Sequence, residues 1–214
     1  MAEHTVTGFE QGSVRGFLHK PSDRPEAGLV LTHGAGGNCE VSLLVAVANA
    51  FCRSGFVVLR CDLPFRQRKR FGPPLPATAA QDRAGLGDAA AVMREMQPGR
   101  TFLGGQSYGG RQASMVASEQ PDVAGGLLLL SYPLHPPGKT DQLRTSHFPK
   151  LRVPALFVQG SKDPFGSLKE MSEALRLIPT RTELIGIEGA GHELARGKFD
   201  IEQMIVKNFR SLMD

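Results

Sequence analysis

No apolar run approaches the ~18 residues that spanning a bilayer requires, so no transmembrane helix is expected. Met1 to Glu10 lack a basic segment followed by an apolar one, which argues against a secretory signal or a membrane anchor. Cysteine is scarce: Cys39, Cys52 and Cys61 have no metal-ligand spacing and leave an odd thiol after any pairing. That usage fits a reducing compartment and buried free thiols, and a soluble cytoplasmic protein is the expectation. Net charge is small, at +4, and tyrosine occurs only twice, as Tyr108 and Tyr132. Internal repeats and low-complexity segments are absent. The 214 residues, 41% of them hydrophobic, suffice for one substantial core but not for two comfortable domains, so one domain over residues 1–214 is expected.

One stretch concentrates charge. Four of the five residues Arg66-Gln67-Arg68-Lys69-Arg70 are basic, just before Phe71-Gly72-Pro73-Pro74-Leu75-Pro76. A solvated loop is expected there. Nucleic-acid binding would call for a more extended positive surface with interleaved aromatics, and only Phe65 and Phe71 flank the cluster. Docking of an acidic partner is the alternative use of these charges.

Short apolar runs alternate with helical patterns along the chain. Thr5 to Phe9 and Ser13 to His19, joined by a Gln11-Gly12 turn, read as an antiparallel edge hairpin. Further strands are expected at Ala27–Thr32, Phe56–Asp62, Thr101–Gly105, Gly125–Ser131, Pro154–Gln159 and Glu183–Ile187. Helices are expected at about Val41–Arg53, Thr78–Gln97, Ser107–Ser118, Ser167–Leu177 and Phe199–Leu212. Apolar runs without polar alternation, separated by helices, mark strands buried on both faces. The fold class is therefore α/β: a three-layer α/β/α sandwich around a mostly parallel, doubly wound sheet of about eight strands.

Within this pattern the run Phe102-Leu103 breaks into Gly104-Gly105-Gln106-Ser107-Tyr108-Gly109-Gly110. Gly105 to Gly109 fits the Gly-x-Ser-x-Gly nucleophile elbow, a sharp strand-to-helix turn that lifts the serine oxygen above the carboxyl end of the sheet. A serine hydroxyl needs a base to take its proton and an acid to orient that base. His192 follows the last strand in Gly189-Ala190-Gly191-His192-Glu193 and is the candidate base. His135 and His147, in a proline-containing stretch, read as surface or loop residues. Asp163 lies just past a strand in Gly160-Ser161-Lys162-Asp163-Pro164 and is the candidate acid, its alternative role being an Asp-Pro turn.

A tetrahedral oxyanion needs preorganised donors. The amide of Tyr108, at the start of a helix, is one candidate. The glycine-rich His33-Gly34-Ala35-Gly36-Gly37 offers the other, at Ala35, with His33 shaping the loop. The lysine and the Ser or Thr that close a phosphate-binding loop are missing, as is dinucleotide-binding glycine spacing.

Together the elbow at Gly105 to Gly109, His33-Gly34, Asp163 and His192 resemble the α/β-hydrolase superfamily over nearly the whole chain. Within it the chain is similar to the dienelactone-hydrolase-like and testis-expressed-protein-type branch. The latter likeness rests on Cys61-Asp62-Leu63-Pro64-Phe65-Arg66, Leu130-Ser131-Tyr132-Pro133-Leu134-His135 and Gln159-Gly160-Ser161-Lys162-Asp163-Pro164-Phe165. Dienelactone hydrolases proper carry a cysteine where this elbow has Ser107. Some members of the testis-expressed branch are chromatin-complex subunits, so the resemblance implies fold more firmly than activity. Many hydrolases insert a lid after the elbow helix and its strand, but Tyr132 to Val153 is too short for a large cap.

An open site is expected, with His33, Gly34, Tyr132 and Phe165 as pocket residues. Packing around the elbow is the other reading of the tyrosines. The expected activity is hydrolysis of an ester-like acyl bond with a short or polar acyl group in a small-molecule substrate, without metal or organic cofactor. Carboxylesterase, thioesterase, lactonase and peptidase remain open. A non-catalytic binding or scaffold protein that docks an acidic partner through the basic cluster is the alternative function, and oligomeric state is not legible.

Overall fold

The computed structural model describes residues 4–194 and 201–214. An antiparallel hairpin, β1 (His4–Gln11) and β2 (Val14–Pro21), forms one edge of an eight-stranded sheet. β2 pairs antiparallel with β4 (Phe56–Cys61), and from there every pairing is parallel. The remaining strands are β3 (Ala27–Thr32), β5 (Arg100–Gln106), β6 (Leu127–Leu130), β7 (Ala155–Gly160) and β8 (Thr182–Ile187). Their order across the sheet is β1-β2-β4-β3-β5-β6-β7-β8.

The central strands are apolar without alternation because both faces are covered. Leu29 and Leu31 of β3 join a core with helices α1 (Ser42–Arg53) and α6 (Ile201–Met213), where Phe51, Phe56, Phe102 and Phe209 pack edge to face. Val30 of β3 points the other way, into a core with α3 (Ala79–Met96), α4 (Tyr108–Glu119) and α5 (Leu168–Leu175). Side chains alternate across a strand, so one apolar run feeds two cores. This is the α/β/α sandwich expected from the sequence.

Two expectations change. The basic stretch is not a loop: Pro64–Arg68 is a short helix, α2, begun by Pro64 at its first turn, where the missing N–H costs nothing. His135 and His147 lie in the loop segment between β6 and β7, as expected, but not at the surface, because both are buried. The segment between β6 and β7 contains only one short helical turn, Phe148–Lys150, and no cap. Of the closing helix expected from Phe199, residues 199 and 200 lie outside the described residues.

The strand order places a topological switch point between β3 and β5. From β3 the chain crosses to β4 on one side, then returns to β5 on the other. The loops leaving the carboxyl ends of β3 and β5 therefore separate and open a crevice.

Candidate active site

Ser107 follows β5 directly and stands immediately before α4, with φ 51° and ψ −118°, a conformation that non-glycine residues seldom adopt. The surroundings hold it there: the Ser107 amide donates to the Leu130 carbonyl at 2.8 Å, and the Arg111 amide donates to the Ser107 carbonyl at 3.0 Å as α4 begins. The elbow glycines are required by contact. A Cβ on Gly105 would lie 2.7 Å from the Thr32 carbonyl oxygen and 2.9 Å from Gly109 backbone, so only glycine lets β5 and α4 meet at this turn.

The Ser107 hydroxyl donates to His192 Nε2 at 2.8 Å. On the other side of the ring, His192 Nδ1 donates to Asp163 Oδ2, also at 2.8 Å. A carboxylate only accepts, which assigns the proton to Nδ1 and leaves Nε2 free to take one from serine. Asp163 is buried, and its two oxygens are spoken for: Oδ2 also accepts from Gln159 Nε2 at 3.0 Å, and Oδ1 accepts from the Phe165 amide at 2.9 Å. Phe165 packs its ring against His192, with centroids 4.3 Å apart. The loops carrying the acid and the histidine are stitched together. The Ser161 amide donates to Ile187, the Lys162 amide to Ala190, and the Gly189 amide to Ser161 Oγ.

Tyr108 occupies the first position of α4, where an amide has no intrahelical partner. Its phenol reaches away from the serine and donates to Asp82 Oδ2 at 2.8 Å, while Asp82 Oδ1 accepts from the Phe65 amide at 2.9 Å. Burial, reinforced by this bond to Asp82, pushes the Tyr108 phenol upward in pKa. Ala35 lies across the crevice and, with Ser107, Tyr108 and Phe165, lines a cavity of about 520 Å³. Gly34 backs directly onto the nucleophile: a Cβ there would lie 3.3 Å from Ser107 Cβ.

Three expected pocket residues, Gly34, Tyr132 and His33, do not line this cavity; Gly34 backs onto Ser107 instead. Tyr132 is fully buried between Phe148 and Phe157 and donates its hydroxyl to the Arg144 carbonyl at 2.8 Å, so of its two readings the packing one holds. His33 is also fully buried. Its Nδ1 donates to the Gly34 carbonyl at 2.8 Å, and its Nε2 accepts from the Leu63 amide at 3.1 Å. Burial holds its pKa below the usual value, in keeping with an uncharged ring that shapes the loop from behind.

Sequence reasoning missed Arg66, Gln159 and Asp82. Arg66 is not a solvated cation. Its guanidinium donates to the carbonyls of Ala35, Gly37, Lys69, Arg70 and Gly72, tying the glycine loop to the segment after α2. Only Arg68, Lys69 and Arg70 of the cluster are exposed. A buried arginine inside a basic run carries no local signal, because its partners are backbone carbonyls that any residue supplies. Gln159 and Asp82 likewise reveal themselves only through distant partners.

The three cysteines are free and buried, and burial raises their thiol pKa values, to about 11 for Cys52 and about 12 for Cys61. No cluster of three or more His, Cys, Asp or Glu suited to a metal ion occurs among the described residues. Nor is any helix among them long and apolar enough to cross a membrane.

Comparison with known proteins agrees with this fold. A family model described as alpha/beta hydrolase domain matches residues 25–207. A putative protein-lysine deacylase, ABHD14B, from Pongo abelii is 27% identical over 165 residues, covering 77% of this chain and 73% of that protein. Among solved structures, a dienelactone hydrolase from Anabaena variabilis superposes with TM-score 0.78 at 19% identity, covering 100% of this chain and 99% of its own. An α/β serine hydrolase without lid from Xanthomonas campestris superposes at 0.72 with 17% identity, covering 98% of this chain and 94% of its own.

Proposed function

The chain belongs to the alpha/beta hydrolase domain family, and from that premise we propose that it is a serine hydrolase acting on an ester-like acyl bond through an acyl-enzyme. The observation that carries this reading is the unbroken hydrogen-bond chain from Ser107 Oγ through His192 to Asp163, both links 2.8 Å long.

In the proposed reaction Ser107 Oγ attacks the carbonyl carbon as its proton passes to His192 Nε2. Asp163 keeps the imidazole oriented and stabilises the imidazolium that forms. The carbonyl electron pair moves onto oxygen, where the Ala35 and Tyr108 amides receive the negative charge, each such donor contributing about 3 kcal/mol to the transition state. Collapse of the intermediate expels the alcohol, thiol or amine, which takes the proton from His192. Water then repeats the sequence on the acyl-enzyme and regenerates Ser107. Every step uses groups at strand ends or at a helix start, none requiring a mobile cap.

The curated relative is named as a putative protein-lysine deacylase, and acyl transfer from an amine belongs to the same reaction class. The basic-cluster docking alternative is weakened by Arg66, whose guanidinium is committed to five backbone carbonyls and is not offered to a partner.

A fluorophosphonate probe tests the proposal. Covalent labelling of the wild type and its loss in Ser107→Ala are expected. Absence of wild-type labelling, or equal labelling of both proteins, refutes it.

A further inference from the structure

The cavity beside Ser107 is apolar along one wall, where Pro73 to Pro76 and Met115 contribute, yet three arginines reach it: Arg83, Arg111 and Arg144. They are not equivalent. Arg83 is neutralised, its Nε donating to Glu119 Oε2 at 3.2 Å and its Nη1 to Gln112 Oε1 at 3.4 Å. Arg111 and Arg144 meet no carboxylate among the described residues. Arg111 stands one helical turn after Ser107 on α4, and its Nε is buried without a hydrogen-bond partner among the described residues. Arg144 is fixed from behind: its amide donates to the Leu134 carbonyl, its carbonyl accepts the Tyr132 hydroxyl, and its Nη1 donates to the Pro133 carbonyl at 3.3 Å.

The two guanidinium groups feel one another. Burial first and the Arg111 charge second lower the pKa of Arg144. Two half-buried like charges without a counter-ion are costly, and the arrangement makes sense once an anion sits between them. A guanidinium pairs a carboxylate through parallel N–H donors, which suits a planar anion.

The side of the serine on which this cavity lies decides which part of a substrate it holds. The leaving group takes its proton from His192, so it departs toward that ring. His192 lines a separate hollow with Lys162, Gly189 and Gly191, and not the arginine cavity. Phe165, tilted against His192, forms the cavity's wall on that side. The space beyond it is where the acyl chain remains after the leaving group has gone.

We infer that this cavity receives an acyl chain ending in a carboxylate, held by Arg111 and Arg144, so that the preferred substrates are mono-esters or related derivatives of short dicarboxylic acids. The inference rests on Ser107 being the nucleophile proposed above. A volume of about 520 Å³ accommodates a short dicarboxylic acyl group.

The test compares 4-nitrophenyl hemiglutarate with 4-nitrophenyl valerate, acyl groups of equal chain length that differ in the terminal carboxylate. The wild type is expected to show at least a tenfold higher kcat/KM for the hemiglutarate. Arg111→Met and Arg144→Met should each lower that preference about tenfold, the scale of one charge-assisted hydrogen bond. The ratio is taken within each protein, so partial misfolding of a variant cancels. A wild-type ratio at or below one, or a ratio unmoved by both substitutions, overturns the inference. Calorimetric titration of Ser107→Ala with glutarate needs no turnover: saturable binding that weakens in Ser107→Ala/Arg111→Met is expected, and no binding overturns the anion site. Valerate turnover with fluorophosphonate labelling but no hemiglutarate preference removes the anion site alone. Glutarate binding by a protein that neither labels nor turns over ester supports the anion site and removes the serine mechanism alone.

Discussion

At the scale of single residues, the candidate site depends on how tightly each side chain is held from behind. Asp163 is buried and meets His192, Gln159 and the Phe165 amide with its two oxygens, which leaves one orientation available. Asp163→Asn keeps the shape but offers an amide where His192 Nδ1 needs an acceptor. The rate of fluorophosphonate labelling is therefore expected to fall about 10³–10⁴-fold while the unfolding midpoint changes little. Gln159 acts at one remove. Its Nε2 also reaches the Gly166 carbonyl at 3.1 Å, and Gln159→Leu strips one donor from the acid. The expected loss in labelling rate is about 10–100-fold, the scale of a hydrogen bond to a charged group. Equal labelling by either variant and the wild type would remove these roles. Ser107, Asp163 and His192 were legible because each sits in a short glycine- or proline-marked stretch just past an apolar run. Gln159 and Asp82 were not, since their importance lies in what faces them.

Between elements, the connection that matters most is the one Arg66 makes. The glycine loop after β3 has few side chains with which to fix itself, and the guanidinium of Arg66 supplies the missing anchor through Ala35 and Gly37. Arg66→Ala leaves five carbonyls short of a partner, several of them partly buried. It is expected to destabilise the fold by about 2–4 kcal/mol in urea unfolding, and to slow labelling because Ala35 is released. Arg68, two residues along and exposed at the end of α2, is expected to change stability by less than about 0.5 kcal/mol when replaced by alanine. Equal effects of the two substitutions would show that the basic run behaves as one solvated patch after all. Element positions were largely legible, because uninterrupted apolar runs and the breaks after them mark buried parallel strands. The short helix at Pro64–Arg68 was not, since its charges masked a buried face formed by Phe65 and Arg66.

Across the molecule, pH bears on stability through histidines outside the Ser107–His192–Asp163 chain. His19, which accepts from Arg60 Nε at 2.7 Å, and His147, paired with Ser114 Oγ at 2.8 Å, are buried. Burial, aided by the charges of Arg60 and Arg111 respectively, lowers both pKa values to about 4. An unfolded chain protonates these rings near pH 6.5, the folded one only near pH 4. The unfolded state thus binds more protons in this window, so stability is fully present above about pH 6.5 and is lost as pH falls toward 4. Each histidine contributes at most about 3 kcal/mol to that loss. Urea midpoints measured from pH 7 to pH 4 should fall, and His147→Gln should flatten part of the slope. An unchanged slope in that variant would exclude His147 as a contributor.

The sequence by itself determined the layered α/β fold, the strand-to-helix elbow at Ser107 and the chain order of serine, acid and histidine. Those features are written in local pattern: apolar runs set strands, and glycines permit a turn that any side chain would block. Tertiary structure alone decided that Tyr132 and His33 belong to the interior, that Arg66 anchors a loop, and that Arg111 and Arg144 share a cavity with Ser107. Each of these depends on which residues, remote along the chain, the packing of strands, helices and connections brings together. A guanidinium or a ring has the same composition whether it faces water, a carbonyl or a like charge, and only packing assigns its partner.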